Sequence, residues 1–561
     1  MKDIEEQIAY VAGSVNRLLS QMDMEPLSPT YGCMHLAYWR DKTSDVADAR
    51  RQEVMLPLAM LYRNEYPGSP WRGGERLKNA VIAAMVFWRK SLYADGSLDE
   101  WYKGERAFAA AAFTTFAVAK TLEVMGTDLP AHVIRIAREG LASTAGWLTR
   151  RNDLFKTNHQ AVGVGALAFA GKILGDDKLA AAARKKLDSI IKAQTAEGWF
   201  PEVGHMDPGY TFLTVEYVAM AMDLWNDWSN VAPFIKAYDF ACEWVHPDLR
   251  LGDEYGVCHN PYVSRIAAIL MAPHSGRAAF LRERFTEKSA GFDSYKNTLG
   301  DELRLSRWAF QPLLAYEYAR NPQSGFEKTP ETLPLFAPSG KRGFYQSAKT
   351  GWFSGKNYTA VFAPAAGGLV RIFNSANGYC VADYGYALRL PAGDATNITY
   401  NRNLPLIEGS SKMMTEAPIS VVKKFMPSFI SRVGLRLACS TAIGSRLARM
   451  GIDVVRKRKG SALNQSSVNL AAGEGGMVLR RKVTLGETSI TVEDELAFNE
   501  AVPTGAIMFY LSSGNGGITL KPVTDLADIP LDSVARRIEF TKRYEIVEDT
   551  IISTITVSNL A

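Results

Sequence analysis

The feature that most constrains this chain is a change of hydrophobic period near residue 320. Upstream, long Ala-rich stretches repeat apolar residues every three and four positions, over residues 73–93, 104–125, 157–174, 177–194, 211–228, 231–245 and 306–320. Only a helix turns that spacing into one continuous apolar face. Downstream the period falls to two. Short alternating runs, among them Tyr358–Phe362, Leu369–Phe373, Met477–Thr484, Ser489–Phe498, Ala506–Leu511 and Ile551–Val557, are separated by turns such as Leu485-Gly486-Glu487 and Gly514-Asn515-Gly516. That is the pattern of half-buried strands. With 561 residues the chain also exceeds one ordinary core, so it divides.

The joints between helical stretches carry Gly, Pro, Asp or Asn, as at Asp95-Gly96, Gly175-Asp176-Asp177, Glu197-Gly198 and His246-Pro247. Successive antiparallel hairpins with one apolar face must curl into a closed layer or a superhelix to hide it. The expected fold is α+β and multidomain. An N-terminal α/α toroid over 1–320 is followed by a Pro/Gly/Ser-rich linker at 321–343 and an antiparallel β-sandwich over 344–561.

Charge is local. Residues 421–459 hold ten Lys/Arg and one acid, a net +9, so the remainder of a chain at +5 stands at −4. This basic insertion, at about 418–459, reads as an amphipathic helix with Phe425, Phe429, Val433, Leu437 and Ile443 set against Arg432, Arg436, Arg446 and Arg449. Its partner is either an acidic polysaccharide or an anionic membrane surface, with a solvated helix packed on the toroid as the plain alternative. No nucleic-acid motif accompanies the charge, so nucleic acid is not expected.

Five scattered cysteines without a CxxC imply neither a disulfide framework nor a zinc motif, and His159, His205 and His259 lack ligand spacing. No metal or cofactor is expected. No apolar run is long enough to span a bilayer, and the first residues lack an apolar signal core. The expected location is cytoplasmic, peripheral at the inner membrane, or periplasmic if a cleaved signal precedes this sequence.

Ionisable and aromatic groups crowd into four places in the helical half: Asp95 to Arg106, including Trp101 and Glu105; Asn158-His159-Gln160; a loop with Glu202, His205, Asp207 and Tyr210; and Tyr255 to Arg265, including His259. Loops held between helices are where function concentrates. Each feature also has a plain structural use: Asn158 suits a helix N-cap, His159 a satisfied core histidine, and Glu105-Arg106 an ordinary first turn.

The stretches SPTYGCMHLAYWRDKT (28–43), DGSLDEWYKGERAF (95–108), KTNHQAVG (156–163) and EGWFPEVGHMDPGY (197–210) resemble the heparinase II/III-like family of polysaccharide lyases and the related toroid alginate lyases. The order of parts is similar along nearly the whole chain. The resemblance implies β-elimination on a uronic-acid polysaccharide, in bacterial surface or exopolysaccharide metabolism. In that reaction donors hold the uronate carboxylate while a base removes the C5 proton and an acid protonates the leaving oxygen. By the resemblance Asn158 and His159 hold the carboxylate with Arg106 as helper, and Tyr210 is the catalytic tyrosine. His159 is either the second proton-transfer group or the base on the opposite face, and Glu202 orients. Trp101, Glu105, His205, Tyr255, His259 and Arg265 complete the expected substrate-binding set. Members of the family often place a histidine in the β-domain, whereas all seven histidines here precede residue 275; Tyr384, Tyr386 or Arg389 could substitute. The alternative function is a non-lyase carbohydrate-binding protein in polysaccharide assembly at the membrane, or a glycoside hydrolase using a pair such as Asp99 and Glu105.

Overall fold

The structure is a computed structural model. It describes residues 2–153, 155–252, 255–256, 260–287, 299–321, 328–338, 340–363, 368–389, 412–419, 477–498, 507–514, 517–522, 537–548 and 550–560, with isolated positions between 433 and 450. The chain separates into two units. One comprises Met1–Ala241, Asn260–Glu331 and Ser428–Val455, and the other Cys242–His259, Thr332–Pro427 and Arg456–Ala561.

The first unit is helical. Its main helices are α1 (Lys2–Gly13), α2 (Val15–Leu19), α3 (Leu36–Trp39), α4 (Met55–Arg63), α5 (Glu75–Ser91), α6 (Phe108–Met125), α7 (Ala131–Thr149), α8 (Thr157–Leu174), α9 (Asp177–Lys192), α10 (Pro208–Trp225), α11 (Ala232–Cys242), α12 (Arg265–Met271) and α13 (Gly276–Glu287), then Glu302–Trp308 and Phe310–Arg320. A 3-10 turn, Ala49–Val54, leads into α4. Four of the α-helix starts have a side-chain cap. Asp176, Asp207, Ser264 and Asp301 accept from backbone N–H groups at the heads of their helices, supplying acceptors that the first turn lacks. Gly175, in the left-handed region, ends α8.

Packing orders these helices. α4 touches α6, α6 touches α8, α8 touches α10, α10 touches α12, α12 touches the helix Phe310–Arg320, and that helix returns to α4. Against these lie α5, α7, α9 and α13. Three of the inner members, α6, α8 and α10, are buried along nearly all of their length and apolar on most faces. The segment Phe108–Asp128 is long and apolar enough to cross a membrane, against the sequence expectation that no such run exists; it is a core helix whose most apolar window is 83% buried.

The second unit contains two antiparallel sheets. One runs β1 (Arg342–Tyr345), β2 (Thr350–Ser354), β3 (Tyr358–Ala363), β4 (Leu369–Asn374), β5 (Cys380–Arg389), β9 (Ile507–Gly514), β10 (Gly517–Pro522), and the other β12 (Thr550–Leu560), β11 (Arg537–Val547), β8 (Ser489–Phe498), β7 (Met477–Leu485), β6 (Lys412–Ile419). Tyr358, Phe362 and Ile372 of the first share one core with Val483, Val492 and Tyr544 of the second. Two boundaries differ from the expected ones. β1 begins inside the expected linker, since Arg342 and Gly343 pair with Phe353 and Trp352 of β2, and Cys242–His259 leaves the helical unit. In that segment Trp244 meets Tyr345 edge-on, His246 lies 4.7 Å from Phe373 by ring centroid, and Glu243 accepts from the Trp352 indole. The basic insertion lies mostly outside the described residues.

Candidate active site

The inner helices of the first unit deliver their candidate residues by their leading turns. Asn158 and His159 stand in the first turn of α8, behind an extended Lys156 that bridges backbone to backbone with Glu202. Glu202 opens a tight hairpin. Its N–H donates to the His205 carbonyl at 2.7 Å, and its carbonyl accepts from the His205 N–H at 3.0 Å. Both turn residues have positive φ, +54° at Val203 and +79° at Gly204, which suits glycine and strains a β-branched residue. Strain of that kind collects at functional sites. Asp207 then caps α10 by accepting from the Tyr210 N–H at 2.9 Å, with Pro208 in the first turn. Gly209 permits a close contact: a Cβ there would lie 1.9 Å from the Asn260 carbonyl oxygen.

His159 is paired and only partly exposed. Its Nδ1 lies 2.8 Å from Asp153 Oδ2, and its ring meets the edge of Phe113. Burial, helped by the charge of Lys156, holds the imidazole below its ordinary pKa although Asp153 opposes this. Burial alone would raise Asp153, but the bond to His159 and its charge leave the carboxylate below its usual range. With Nδ1–H donated to Asp153, Nε2 is left as the basic nitrogen.

Asn158 is 1% exposed, and its backbone N–H reaches Glu202 Oε2 at 3.4 Å. Its side-chain amide lies near enough to Glu202 to lower that carboxyl, yet neither amide atom completes a hydrogen bond of good geometry among the described residues. Buried polar groups are nearly always satisfied, and the Asn158 amide at the head of α8 is buried with no partner of good geometry among the described residues. Burial pushes Glu202 up to about 8, with Asp207 adding to the rise. It is a neutral acid at pH 7.

A second cluster, absent from the sequence reading, adjoins the first through Phe113. The Arg50 guanidinium lies 3.6 Å from the Phe113 ring centroid, and Arg50 Nε bonds Glu53 at 2.7 Å. Arg307 joins Asp48 at 2.7 Å and Glu100 at 3.0 Å, all buried. Burial raises Glu53 to about 7 against the pull of Arg50. Exposed Trp101, 65% accessible, lies 5.7 Å from the Arg307 guanidinium. Arg307 carried no signal of its own, standing three residues after Arg304 in the short mixed helix Glu302–Trp308.

The structure sets Asn158 against Glu202, with His159 next along α8; Asp207, whose charge reaches Glu202, accepts from the Tyr210 backbone N–H at the head of α10. His205 closes the hairpin, partly exposed. Arg106 reaches Asp95 at 2.5 Å and lies over Tyr93. Asp99 and Glu105, considered as a hydrolytic pair, fold their own loop. Asp99 accepts from Tyr93 Oη, Gly104 N–H and Arg106 N–H, and Glu105 from the N–H groups of Glu100 and Trp101. Arg265 is turned to packing. It pairs with Asp3 at 2.9 Å, donates to the Val263 carbonyl and stacks on Phe285, because α12 has to be anchored to α1 and α13. Tyr255 belongs to the second unit, where its hydroxyl bonds His246 Nε2 at 2.8 Å. His259 lies outside the described residues. Among the described residues no group of three His, Cys, Asp or Glu side chains is placed to hold a metal ion.

No protein-family model and no curated protein matches the sequence. Solved structures do match the fold. The chondroitin AC lyase of Streptomyces coelicolor A3, solved with chondroitin sulphate, aligns with 98% of this chain and 76% of its own at 9% identity and a TM-score of 0.55. A mutant of that enzyme aligns with 90% of this chain and 68% of its own, at 9% identity and a TM-score of 0.50. The heparan sulfate lyase HepC of Pedobacter heparinus covers 99% of this chain and 89% of its own at 11% identity, but its TM-score of 0.38 is too low to carry weight. The likeness is one of fold: along nearly its whole length this chain shares the fold of that chondroitin AC lyase.

Proposed function

We propose that this chain is a polysaccharide lyase, an α/α toroid joined to a β-sandwich, that cleaves a uronic-acid polysaccharide by β-elimination. The order of helix contacts, returning from Phe310–Arg320 to α4, supports the toroid, and the core shared by two antiparallel sheets supports the sandwich. The observation that carries the chemistry is the buried, unsatisfied amide of Asn158 beside a neutral Glu202 and an Asp153-held His159.

In this reading the uronate carboxylate lies against the Asn158 amide at the head of α8, where the helix dipole also favours negative charge. Charge then flows into the carboxylate as the C5–H bond breaks. His159 Nε2 takes the C5 proton, and the electron pair forms the C4–C5 double bond. The C4–O bond to the leaving sugar breaks, and the Tyr210 hydroxyl donates its proton to that oxygen. Glu202, protonated, holds Asn158 in place without adding a second negative charge. Trp101 offers a face for a neighbouring sugar ring.

The test is incubation with a panel of uronate polymers (alginate, unsulfated and sulfated glycosaminoglycans, bacterial surface polysaccharides). A new ultraviolet chromophore is expected with at least one of them. His159→Ala and Tyr210→Phe are each expected to slow turnover on it about a hundredfold or more. Chain cleavage without the chromophore would make the protein a hydrolase, and near-normal rates in either variant would remove that residue from the mechanism.

We also propose that the basic segment 421–459 docks on an anionic membrane surface. Of its apolar residues, Val433, Leu437, Ile443, Leu447 and Met450 are exposed, Leu437 at 67% and Ile443 at 75%. A polyanion would not cover such side chains, whereas a lipid interface would.

A further inference from the structure

We propose that the helical unit holds a second binding site, for a neutral polyhydroxylated ligand of mono- to disaccharide size, at the opposite ends of the same inner helices. A cavity of about 710 Å³ lies among the last turns of α4, α6, α8, α10, α12 and Phe310–Arg320. α8 has 18 residues, so its two ends are about 27 Å apart. This cavity is therefore remote from Asn158 and His159. Its volume lies within the range of small-molecule sites.

The wall chemistry selects the ligand. Helix C-terminal ends present carbonyl oxygens and partial negative charge, and Glu123, Asp223 and Glu317 add carboxylates; a polyanion is disfavoured there. Cations stand among these acids. Glu123 is held by Lys120 and by Lys172 at 2.6 Å, and its carboxyl lies below the ordinary range despite burial. With Arg63 and Arg282 also on the wall, a cationic ligand gains little. The remaining chemistry is an array of donors and acceptors in which three carboxylates and the helix carbonyl ends face four cations, Arg63, Lys120, Lys172 and Arg282. Asn64, bonded to Glu317 at 3.3 Å, continues that array. Hydroxyl groups both donate and accept, so one polyol can satisfy carbonyls, carboxylates and ammonium groups at once. Phe169, over which Lys120 lies at 4.9 Å, and Leu224 supply apolar surface for the C–H face of a sugar ring. The two ends of one set of helices thus differ in potential and in ligand: anionic polymer at the heads, neutral sugar at the tails.

Saturation-transfer NMR on the full chain with lactose, cellobiose and N-acetylglucosamine, and with glucuronate as the anionic control, tests this. At least one neutral sugar is expected to receive saturation, and a tenfold excess of glucuronate is expected not to displace it. Leu224→Trp, which fills the cavity, is expected to abolish the signal, and Asp223→Asn, which keeps the shape of the side chain, to weaken binding about tenfold. Tyr210→Phe is expected to leave it unchanged, so this result stands apart from the lyase reading. Saturation of none of the sugars, a signal displaced by glucuronate or lost in Tyr210→Phe, or a signal untouched by both cavity variants would overturn the proposal. If Leu224→Trp does not fold, Asp223→Asn decides.

Discussion

Glu202 concentrates what single side chains contribute here. Burial raises it to about 8, and Glu53, Glu105 and Glu216 are raised to about 7 by the same cause. A carboxyl held above its unfolded value stabilises the fold fully only below about pH 4.5, and that contribution is lost as pH rises to the folded value. Buried His159, lowered, acts in the opposite sense only below its ordinary pKa near 6.5. The window from pH 6.5 to about 8 therefore belongs to the acids. Over it, Glu202→Gln is expected to recover on the order of 2 kcal/mol of stability relative to wild type. Urea midpoints at pH 6.5 and 8.5 measure this, and equal pH-dependent losses in both proteins would show that Glu202 is not held protonated. At this scale the sequence was legible where unlike groups crowd one loop, as in EVGHMDPGY. It was opaque at Arg50 and Arg307, each of which sits beside an apolar helix and reads as a surface cation until folding buries it against Glu53, or against Asp48 and Glu100.

Among elements, period decided what could be read. α8 and β8 fall where apolar spacing predicts, and β11 continues its ladder with β8 through the polar positions Thr541 to Arg543. β5 was missed because its inner face is ionic. Asp383 of β5 faces Arg481 of β7, Asp494 of β8 and Lys542 of β11, with Lys542 2.7 Å from Asp383 and 2.6 Å from Asp494, all 0–2% exposed. Tyr386 and Tyr544 hydroxyls bond the two carboxylates. Apolar alternation cannot report a strand whose buried position is an aspartate. Two acids and two bases balance, so removing one leaves buried charge uncompensated. Lys542→Met is expected to destabilise the strand-built unit by about 3–5 kcal/mol. Adding Asp383→Asn should restore part of that loss, which denaturant unfolding of both variants would reveal. Equal or greater destabilisation in the double variant would mean the cluster is held by packing instead of charge.

For the molecule as a whole, the distribution of charge sets the remaining question. Composition showed at once that +9 of a net +5 lies in residues 421–459, but the sequence left open whether its apolar side chains would be covered. Among the described residues Ile443, Leu447 and Met450 are exposed, at 75%, 62% and 60%. Arg436 pairs with Asp45 at 3.0 Å with both side chains more than 60% exposed, and such a pair is worth little. A polymer track and a membrane anchor then predict different losses on deletion. If the segment steers an acidic polymer, its removal takes the chain to −4 and lowers kcat/KM for long substrates, most at low salt. If it docks on lipid, catalysis on soluble oligosaccharides is untouched and flotation with vesicles of phosphatidylserine and phosphatidylcholine is lost. The exposed apolar face favours the second outcome, because burying those side chains in the interface adds a term that salt does not screen. Flotation of the full chain should accordingly survive moderate salt in part, while vesicles of phosphatidylcholine alone should bind it weakly. Equal flotation of the full chain and the chain lacking 421–459 would end the membrane assignment.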